Sequence, residues 1–507
     1  MSLTDFRERL WKSEHPSYDG SALSPVAPEY STGEVLLGAA YRRLLLGVQE
    51  ATVDPEGINT LPTQLEPTGL WDELLLGEGG LASPALAGQR GTAILRQLMP
   101  LVPEVARHAC VLGRPRSRWD PARLLFSTIA SGNGEESARE ILHRVRLALS
   151  VSDDDDLFAR FVETSLAALA SSRPDTPPDP GFGAPAYRPQ KGAGLSPAER
   201  FCGDLGAILE LKPRLTRRQW VVLLEALLRL GLSMHMLWLC RLNEIVWHAA
   251  ISAAKGSAVA GPAEIERVAW EGHRFTDPLL ELGRDGIAAM RRRIEGYAIA
   301  RIGLNVVLHA LEDARCPWPG GPLGKPGSGG WTVPESLAGF LSHVAAHASS
   351  AQAAVASAGY PSLLDACRAI ADAHLSLLAC KSGPTKNLFE FMRHSLGQLQ
   401  PRFEEQRSYD QAYLLIRKTR ATSSPWPVQP GPATLIMLVH ACCQSLGGLP
   451  VSVEDFRSHL ADYGILAPAG ELQGGQCSRN LERLGLVVDS PDAGGGRLLV
   501  DPFQGGS

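Results

Sequence analysis

The sequence predicts a mainly α-helical protein with several units, and three observations support this fold class. Apolar residues recur at helical spacing between Glu34 and Leu399, strand-like alternation is nearly absent before residue 485, and Pro/Gly-rich segments interrupt the helical pattern. The chain has 507 residues, of which 44% are hydrophobic, and at roughly 100–200 residues per domain this length predicts about three or four domains. The net charge of −5 excludes a broadly basic nucleic-acid coat protein and an acidic solvating chain.

The first predicted unit, residues 1–170, is an N-terminal helical domain. Its amphipathic stretches are Glu34–Glu50, Glu135–Leu149 and Leu157–Ala170. The N-terminus carries charges throughout and has no apolar segment, so we expect no secretory signal. A Pro/Gly-rich linker, residues 171–194, follows this domain, because prolines at this density cannot continue a helix.

The second predicted unit, residues 195–315, is a central helical domain with clear helix starts. Ser196 precedes a proline and is expected to cap the first helix, and Thr216 with Gln219 forms a predicted capping box before a long apolar helix. That helix is the most apolar part of the chain, but its longest charge-free run, Leu230–Cys240, has 11 residues. A bilayer span needs about 20. We therefore expect a buried core helix and no membrane partner.

A second Pro/Gly-rich linker, residues 316–334, precedes a third predicted helical domain at 335–422. Its distinguishing feature is a basic surface between Lys381 and Arg420, where eight basic residues meet four acidic ones and are interleaved with Phe and Tyr. Basic side chains in such a segment can bind the phosphate backbone of a nucleic acid, and the aromatic side chains can stack on its bases. The alternative is a helix pair with aromatic residues in its core and a solvated basic face. The basic residues are Lys381, Lys386, Arg393, Arg402, Arg407, Arg417, Lys418 and Arg420.

The tail, residues 433–503, follows a short proline-rich break that we expect to isolate it from the body. Three helices are predicted, followed by two short strands around a Gly-rich turn. The predicted elements are Pro432–Leu446, Ser452–Tyr463 with Ser452 as its N-cap, Glu471–Leu484, Leu486–Asp489 and Arg497–Asp501. This order, with the segment LERLGLVVDSPDAGGGRLLVDPF at its end, resembles the winged-helix superfamily.

The winged-helix resemblance implies that the third helix would enter the DNA major groove while the hairpin touches phosphates. The residues it nominates are Gln473, Gln476, Ser478, Arg479 and Arg483 on the helix and Arg497 on the hairpin. The charge of the tail argues against this use, because residues 433–507 contain four Arg and no Lys against eight acidic residues. Protein docking is therefore the expected role of the tail, and the alternatives are DNA contact and a purely structural cap.

Catalytic motifs are missing: the sequence has no P-loop, dinucleotide fingerprint, HExxH zinc motif or nucleophile elbow. Arg/His pairs at the spacing of helical HEPN-type RNases occur about as often as chance allows, and one carboxylate set matches the letters of a PD-(D/E)xK nuclease. The acidic run Asp153–Asp156 is better explained by a favourable interaction with the start of a helix. The nuclease candidates are Arg229/His235, Arg241/His248, Arg368/His374 and the set Asp179, Glu210, Lys212. We expect no cofactor and no metal site.

The expected function is that of a non-enzymatic scaffold or adaptor subunit. Nine cysteines without any CxxC pair predict a reducing cytoplasm, and 41 Arg against 8 Lys are typical of a GC-rich bacterial genome. By analogy with helical bodies that end in a winged helix, we expect a bacterial DNA-acting assembly, including anti-phage systems, with an ATPase or nuclease as partner. The alternatives are a direct DNA-binding regulator or loading subunit, and a divergent helical nuclease.

Overall fold

The structure is a computed structural model that describes parts of the body and most of the tail. The described ranges are 121–169, 187–189, 196–273, 284–319, 334–374, 430–489 and 496–504, with the single residues Leu3, Ala40, Arg43, Leu44, Met392, Ser395, Leu396 and Leu414. Helices hold 74% of the described residues and strands 3%. The prediction of a mainly α-helical protein is therefore confirmed.

Ten helices form the described part of the body. In chain order they are α1 (Pro121–Asn133), α2 (Glu135–Leu149), α3 (Leu157–Leu169), α4 (Pro197–Leu211), α5 (Arg217–Ala254), α6 (Pro262–His273), α7 (Arg284–Asp313), α8 (Pro334–Ala346), α9 (Ala348–Ser357) and α10 (Leu363–His374). A 3-10 turn at Lys212–Arg214 joins α4 to α5. The expected N-cap is present at α4, where the hydroxyl of Ser196 accepts from the amide of Ala198 at 3.2 Å.

Helix α5 has 38 residues and lies at the centre of the body. It begins at the predicted capping box, in which the Gln219 amide donates to Thr216 Oγ1 at 3.4 Å and the Thr216 amide donates to Gln219 Oε1 at 3.1 Å. Helices α4, α6, α7 and α8 all pack on it. A helix that is apolar on every side must be enclosed on every side, and this enclosure explains why α5 is buried from Trp220 to Ala253 with few exceptions.

Within the part of the chain that the structure describes, α5 is the one helix long and apolar enough to cross a membrane by length and composition. Almost all of its most apolar stretch is buried inside the protein, and the core helix of a soluble protein passes the same test. The enclosure of α5 by other helices matches the expectation of a core helix.

The helices on both sides of residues 316–334 pack together. Helix α8 contacts α5, and α10 contacts α7. Their buried side chains, among them Phe340 and Ile370, belong to the same apolar cluster as those of α5. The predicted linker therefore joins helices of a shared core.

The C-terminal unit contains four helices and a small antiparallel sheet. Its elements are α11 (Pro432–Ser445), β1 (Val451–Ser452), α12 (Val453–Ala461), α13 (Ala469–Gln473), α14 (Gln476–Arg483), β2 (Val487–Asp489) and β3 (Arg497–Leu499). The strand order is β1-β3-β2, with Leu499 opposite both Val451 and Val487. Ser452 caps α12 in a capping box with Asp455, so the predicted cap at this position is confirmed.

Two details of this unit differ from the sequence prediction. The third helix, predicted as Glu471–Leu484, is divided at Gly474 and Gly475 into α13 and α14, because glycine is the poorest helix former after proline. Strand β1 was not predicted, because a strand of two residues is too short to show alternation. Its pairing partner, β3, also lies far from it in the sequence.

The tail also packs on the body, across the proline-rich break that we expected to isolate it. Helix α11 contacts both α4 and α5, and its residues Leu435, Leu438 and Val439 are almost fully buried. The physical reason is the apolar surface of α5, which needs a cover that the body helices alone do not provide.

The crossing of α4 and α5 depends on Gly231, where a β-carbon would overlap the ring of Phe201. Gly203 on α4 is exposed, and a β-carbon there would meet no neighbour. We predict that Gly231→Ala lowers the free energy of unfolding by about 1–3 kcal/mol, because overpacking outweighs the gain in helix propensity. Gly203→Ala, the matched control, should raise it by about 0.5–1 kcal/mol.

Urea unfolding of the two variants and the wild type, followed by far-ultraviolet circular dichroism, tests this prediction. An increase in stability for both variants would mean that α4 and α5 do not approach closely at Gly231.

Candidate functional site

The basic surface predicted between Lys381 and Arg420 lies outside the described residues. None of its basic side chains is placed by the structure: Lys381, Lys386, Arg393, Arg402, Arg407, Arg417, Lys418 and Arg420. Nucleic-acid binding by this surface therefore stays a prediction.

The hairpin residue nominated for DNA contact, Arg497, is held by helix α14. Its Nη1 donates to Ser478 Oγ at 2.7 Å and forms an ion pair with Glu482 Oε1 at 2.5 Å. Ser478 is almost fully buried. These interactions neutralise the charge of Arg497 and leave Ser478 inaccessible to a ligand.

The other nominated residues lie on the outer side of α13 and α14. Gln473, Arg479 and Arg483 are exposed, and Gln476 is partly buried. Arg479 donates to Gln476 Oε1 at 3.1 Å. With Glu482 exposed beside them, these residues form a mixed-charge surface on α14.

A buried polar network joins the C-terminal unit to helix α4, and it was not predicted from the sequence. Asp204 of α4 is almost fully buried. One of its oxygens, Oδ2, accepts from His459 Nε2 at 3.0 Å and from the Tyr463 hydroxyl at 2.7 Å. Burial, together with the negative charge of Asp204, raises the pKa of Tyr463 well above its ordinary value. The Tyr463 hydroxyl therefore stays protonated and serves as a donor.

Two further interactions surround this network. Arg200 of α4 donates to Asp462 Oδ2 from Nε at 2.9 Å and from Nη2 at 2.5 Å. His273 of α6 has Nε2 at 3.2 Å from the carbonyl oxygen of Tyr463. Side chains of α4 and α6 thus fix the orientation of α12 on the body.

A second buried polar pair, His440 and Asp501, lies within the C-terminal unit. His440 Nδ1 lies 3.0 Å from both oxygens of Asp501, and Gln444 donates to Asp501 Oδ2 at 2.9 Å. Burial opposes the ionisation of Asp501, but hydrogen bonds from His440, Gln444 and the Phe503 amide outweigh it and hold the pKa of Asp501 below its ordinary value. The chain after β3 is thereby attached to α11.

A sequence signal for these pairs existed. Asp204 lies on α4 between Cys202 and Leu205, on a face that is otherwise apolar, and a carboxylate on such a face needs a buried partner. His459 and Tyr463, four residues apart, are able to meet one acceptor. Which acceptor they meet depends on how α12 packs on α4, and the sequence alone does not show that.

Of the two helical RNase candidates on α5, the pair Arg229 and His235 is poorly placed for catalysis. Arg229 and His235 are both buried, and burial lowers the pKa of His235 to about 3, so its imidazole is neutral at physiological pH. Arg241 forms an ion pair with Glu244 at 2.6 Å, while His248 is exposed beside Trp247. A general acid or base must reach its substrate, and His235 does not.

The third Arg/His pair and the carboxylate set are described only in part. Arg368 is exposed on α10, which ends at His374. Glu210 faces Arg144 at 3.7 Å and Lys212 lies 4.0 Å from Asp155, while Asp179 lies outside the described residues.

The acidic run before α3 interacts with its own neighbourhood. Asp156 Oδ1 accepts from the Ala159 amide at 2.9 Å and so caps α3, and Asp155 pairs with the buried Arg217 at 3.1 Å. The expectation of a helix-start role is confirmed for Asp156. Among the described residues, no group of three or more His, Cys, Asp or Glu side chains is placed to hold a metal ion.

We predict that Tyr463→Phe lowers the free energy of unfolding by about 1.5–3 kcal/mol, because it removes a buried hydrogen bond to a charged acceptor. Tyr360→Phe, at a partly buried tyrosine, is the matched control and should change stability by less than about 0.5 kcal/mol. A double-mutant cycle with Asp204→Asn should give a coupling of about 0.5–3 kcal/mol. Equal effects of the two Tyr→Phe changes would refute the network.

The Asp501 pair predicts a pH dependence. A carboxyl whose folded-state pKa is lowered contributes stability above its ordinary value of 3.8, and that contribution is lost as the pH falls through the folded-state pKa. Asp501→Asn should therefore destabilise the protein at about pH 6 and approach the wild type at about pH 3. Urea unfolding at both pH values measures this. Asp154→Asn, at an exposed position, should follow the wild type at both, and a pH-independent effect of Asp501→Asn would contradict the assignment.

In comparisons with known proteins, no protein-family model, no curated protein sequence and no solved structure matches this chain.

Proposed function

We propose that this chain is a non-enzymatic scaffold or adaptor subunit whose C-terminal unit docks a protein partner. The observation that carries the proposal is the ion pair between Arg497 and Glu482. It neutralises the hairpin charge that a DNA-binding winged helix would use, in a tail that already holds eight acidic residues against four arginines. Phosphate neutralisation supplies nearly all non-specific DNA affinity, so this surface is suited to a protein.

The order of elements in the tail supports its assignment as a winged-helix-like module. A helix, a short strand, a second helix, a divided third helix and two further strands follow one another from α11 to β3. The three strands pair antiparallel with β3 in the middle, as a wing hairpin with one added strand would. This is a likeness of topology and says nothing of a specific partner.

The surface of the tail also has the character of a protein interface. The exposed side chains on α14 carry both signs of charge, and Val488 on β2 is 48% exposed. Mixed polar groups around exposed apolar atoms are typical of non-obligate interfaces. The buried network at Asp204 holds this surface in one orientation relative to the body.

The proposed setting is a cytoplasmic, bacterial, DNA-acting assembly, with an ATPase or nuclease as the partner subunit. Anti-phage defence is one such setting. The support is the arginine-rich composition and an analogy at the level of fold.

The second candidate is direct DNA binding, and the observation in its favour is the basic, aromatic-interleaved segment from Lys381 to Arg420. In this alternative the segment binds phosphates while the third helix of the tail, formed by α13 and α14, inserts in the DNA groove. The two candidates differ in which basic residues, if any, the affinity for duplex DNA depends on.

We predict that Arg479→Glu combined with Arg483→Glu leaves the duplex-DNA affinity of the full-length protein unchanged. Fluorescence anisotropy with a labelled duplex, at low and at physiological salt, measures this affinity. A steep salt dependence that these substitutions reduce, by about 0.9 in the log–log slope for each arginine–phosphate pair removed, would show that α14 binds DNA and would overturn the docking proposal.

The same assay separates the two candidates. Arg393→Glu combined with Arg417→Glu should abolish any salt-dependent affinity if the basic surface binds DNA. Arg139→Glu combined with Arg160→Glu, at exposed positions on α2 and α3, is the matched charge control and should have no effect.

Docking itself is tested by photo-crosslinking in cells of the native host. A crosslinking residue in place of Arg483 should yield one discrete protein adduct, whereas the same residue in place of Ser257, exposed after α5, should not. A nucleic-acid adduct at position 483 would contradict the proposal.

A further inference from the structure

Two histidines, His343 and His347, lie four residues apart where α8 ends and α9 begins. Both are partly exposed, and their ring centroids are 4.4 Å apart. The His347 amide donates to the His343 carbonyl at 3.1 Å, so the helical turn continues through both residues and places their side chains on one face. The sequence-based expectation of no metal site assumed histidines without a second ligand three or four residues away, and it overlooked this pair.

The protonation of His343 is defined by its backbone partner. Nε2 of His343 lies 3.0 Å from the carbonyl oxygen of Cys316. A carbonyl oxygen only accepts hydrogen bonds, so Nε2 carries the proton and the lone pair of a neutral ring is on Nδ1. Histidine ligands of metals are held in this way, with one ring nitrogen donating to a carbonyl and the other binding the ion.

Aromatic side chains also restrict the position of the His343 ring. Trp318 packs edge-on against it with centroids 5.4 Å apart, and Phe340 packs edge-on against Trp318 at 5.9 Å. Phe340 is fully buried, so this row of rings extends from the core to the His343 imidazole. A ligand on a braced side chain loses little rotamer freedom when it binds.

We propose that His343 and His347 together chelate a divalent transition-metal ion of the class that prefers imidazole, such as Zn²⁺, Ni²⁺ or Cu²⁺. Two histidines at this spacing on a helix are able to reach one ion with bonds of about 2.0–2.1 Å. Because the described residues offer no third His, Cys, Asp or Glu side chain close enough, water fills the other positions. The ion is therefore exchangeable, and it connects the last turn of α8 to the start of α9.

Isothermal titration of Ni²⁺ into the metal-free full-length protein tests the proposal. His343→Gln and His347→Gln each remove one ligand, and glutamine at position 343 keeps a donor for the Cys316 carbonyl. Each variant should lower Ni²⁺ affinity by at least the roughly 10–100-fold that loss of an outer-shell partner costs. His143→Gln, at an exposed histidine on α2, should bind Ni²⁺ as the wild type does.

Thermal unfolding gives a second readout, since an ion that binds only the folded state raises the midpoint. Ni²⁺ should raise it for the wild type and for His143→Gln and not for the other two variants. Binding at wild-type affinity in either His343→Gln or His347→Gln would overturn the proposal, because chelation by the pair requires both rings.

Discussion

The burial of α5 is the constraint on which the rest of the structure depends. A helix of 38 residues that is buried on all sides along most of its length leaves little surface to water, and each large side chain buried contributes about 1.5–3 kcal/mol. The cover comes from helices far apart in the sequence: α4 before it, α6, α7 and α8 after it, and α11 from the tail. The proline-rich segments between them connect parts of this enclosure.

Apolar packing against α5 brings the tail to the body, but polar interactions define how it sits there. Hydrophobic burial is not directional, whereas Asp204 accepts from both His459 and Tyr463 and does so only in one arrangement of α12 on α4. A buried carboxylate is costly unless it is well bonded. Arrangements that separate these groups are thus disfavoured, and the outer surface of the tail keeps a fixed position relative to the body.

Whether the sequence could predict a feature depended on how far apart in the chain the interacting residues lie. The caps at Ser196, Thr216 and Ser452 were predicted correctly, because each depends on residues within four positions. The packing of α11 on the body and the strand at Val451 depend on partners far away in the chain. His343 and His347 are visible in the sequence, yet only the structure shows that the Cys316 carbonyl leaves Nδ1 of His343 as the metal-binding nitrogen.

The pair of Arg497 with Glu482 separates the two proposed uses of the tail. For Arg497 to bind a phosphate it must leave Glu482 and Ser478, and the duplex would then lie against an exposed carboxylate on α14. Like charges placed together at an interface oppose binding. A protein partner has no such difficulty, because its own basic and acidic groups are able to match a surface that carries both signs. The geometry of one side chain thus supports the proposal of protein docking over the proposal of DNA binding for this face of the molecule.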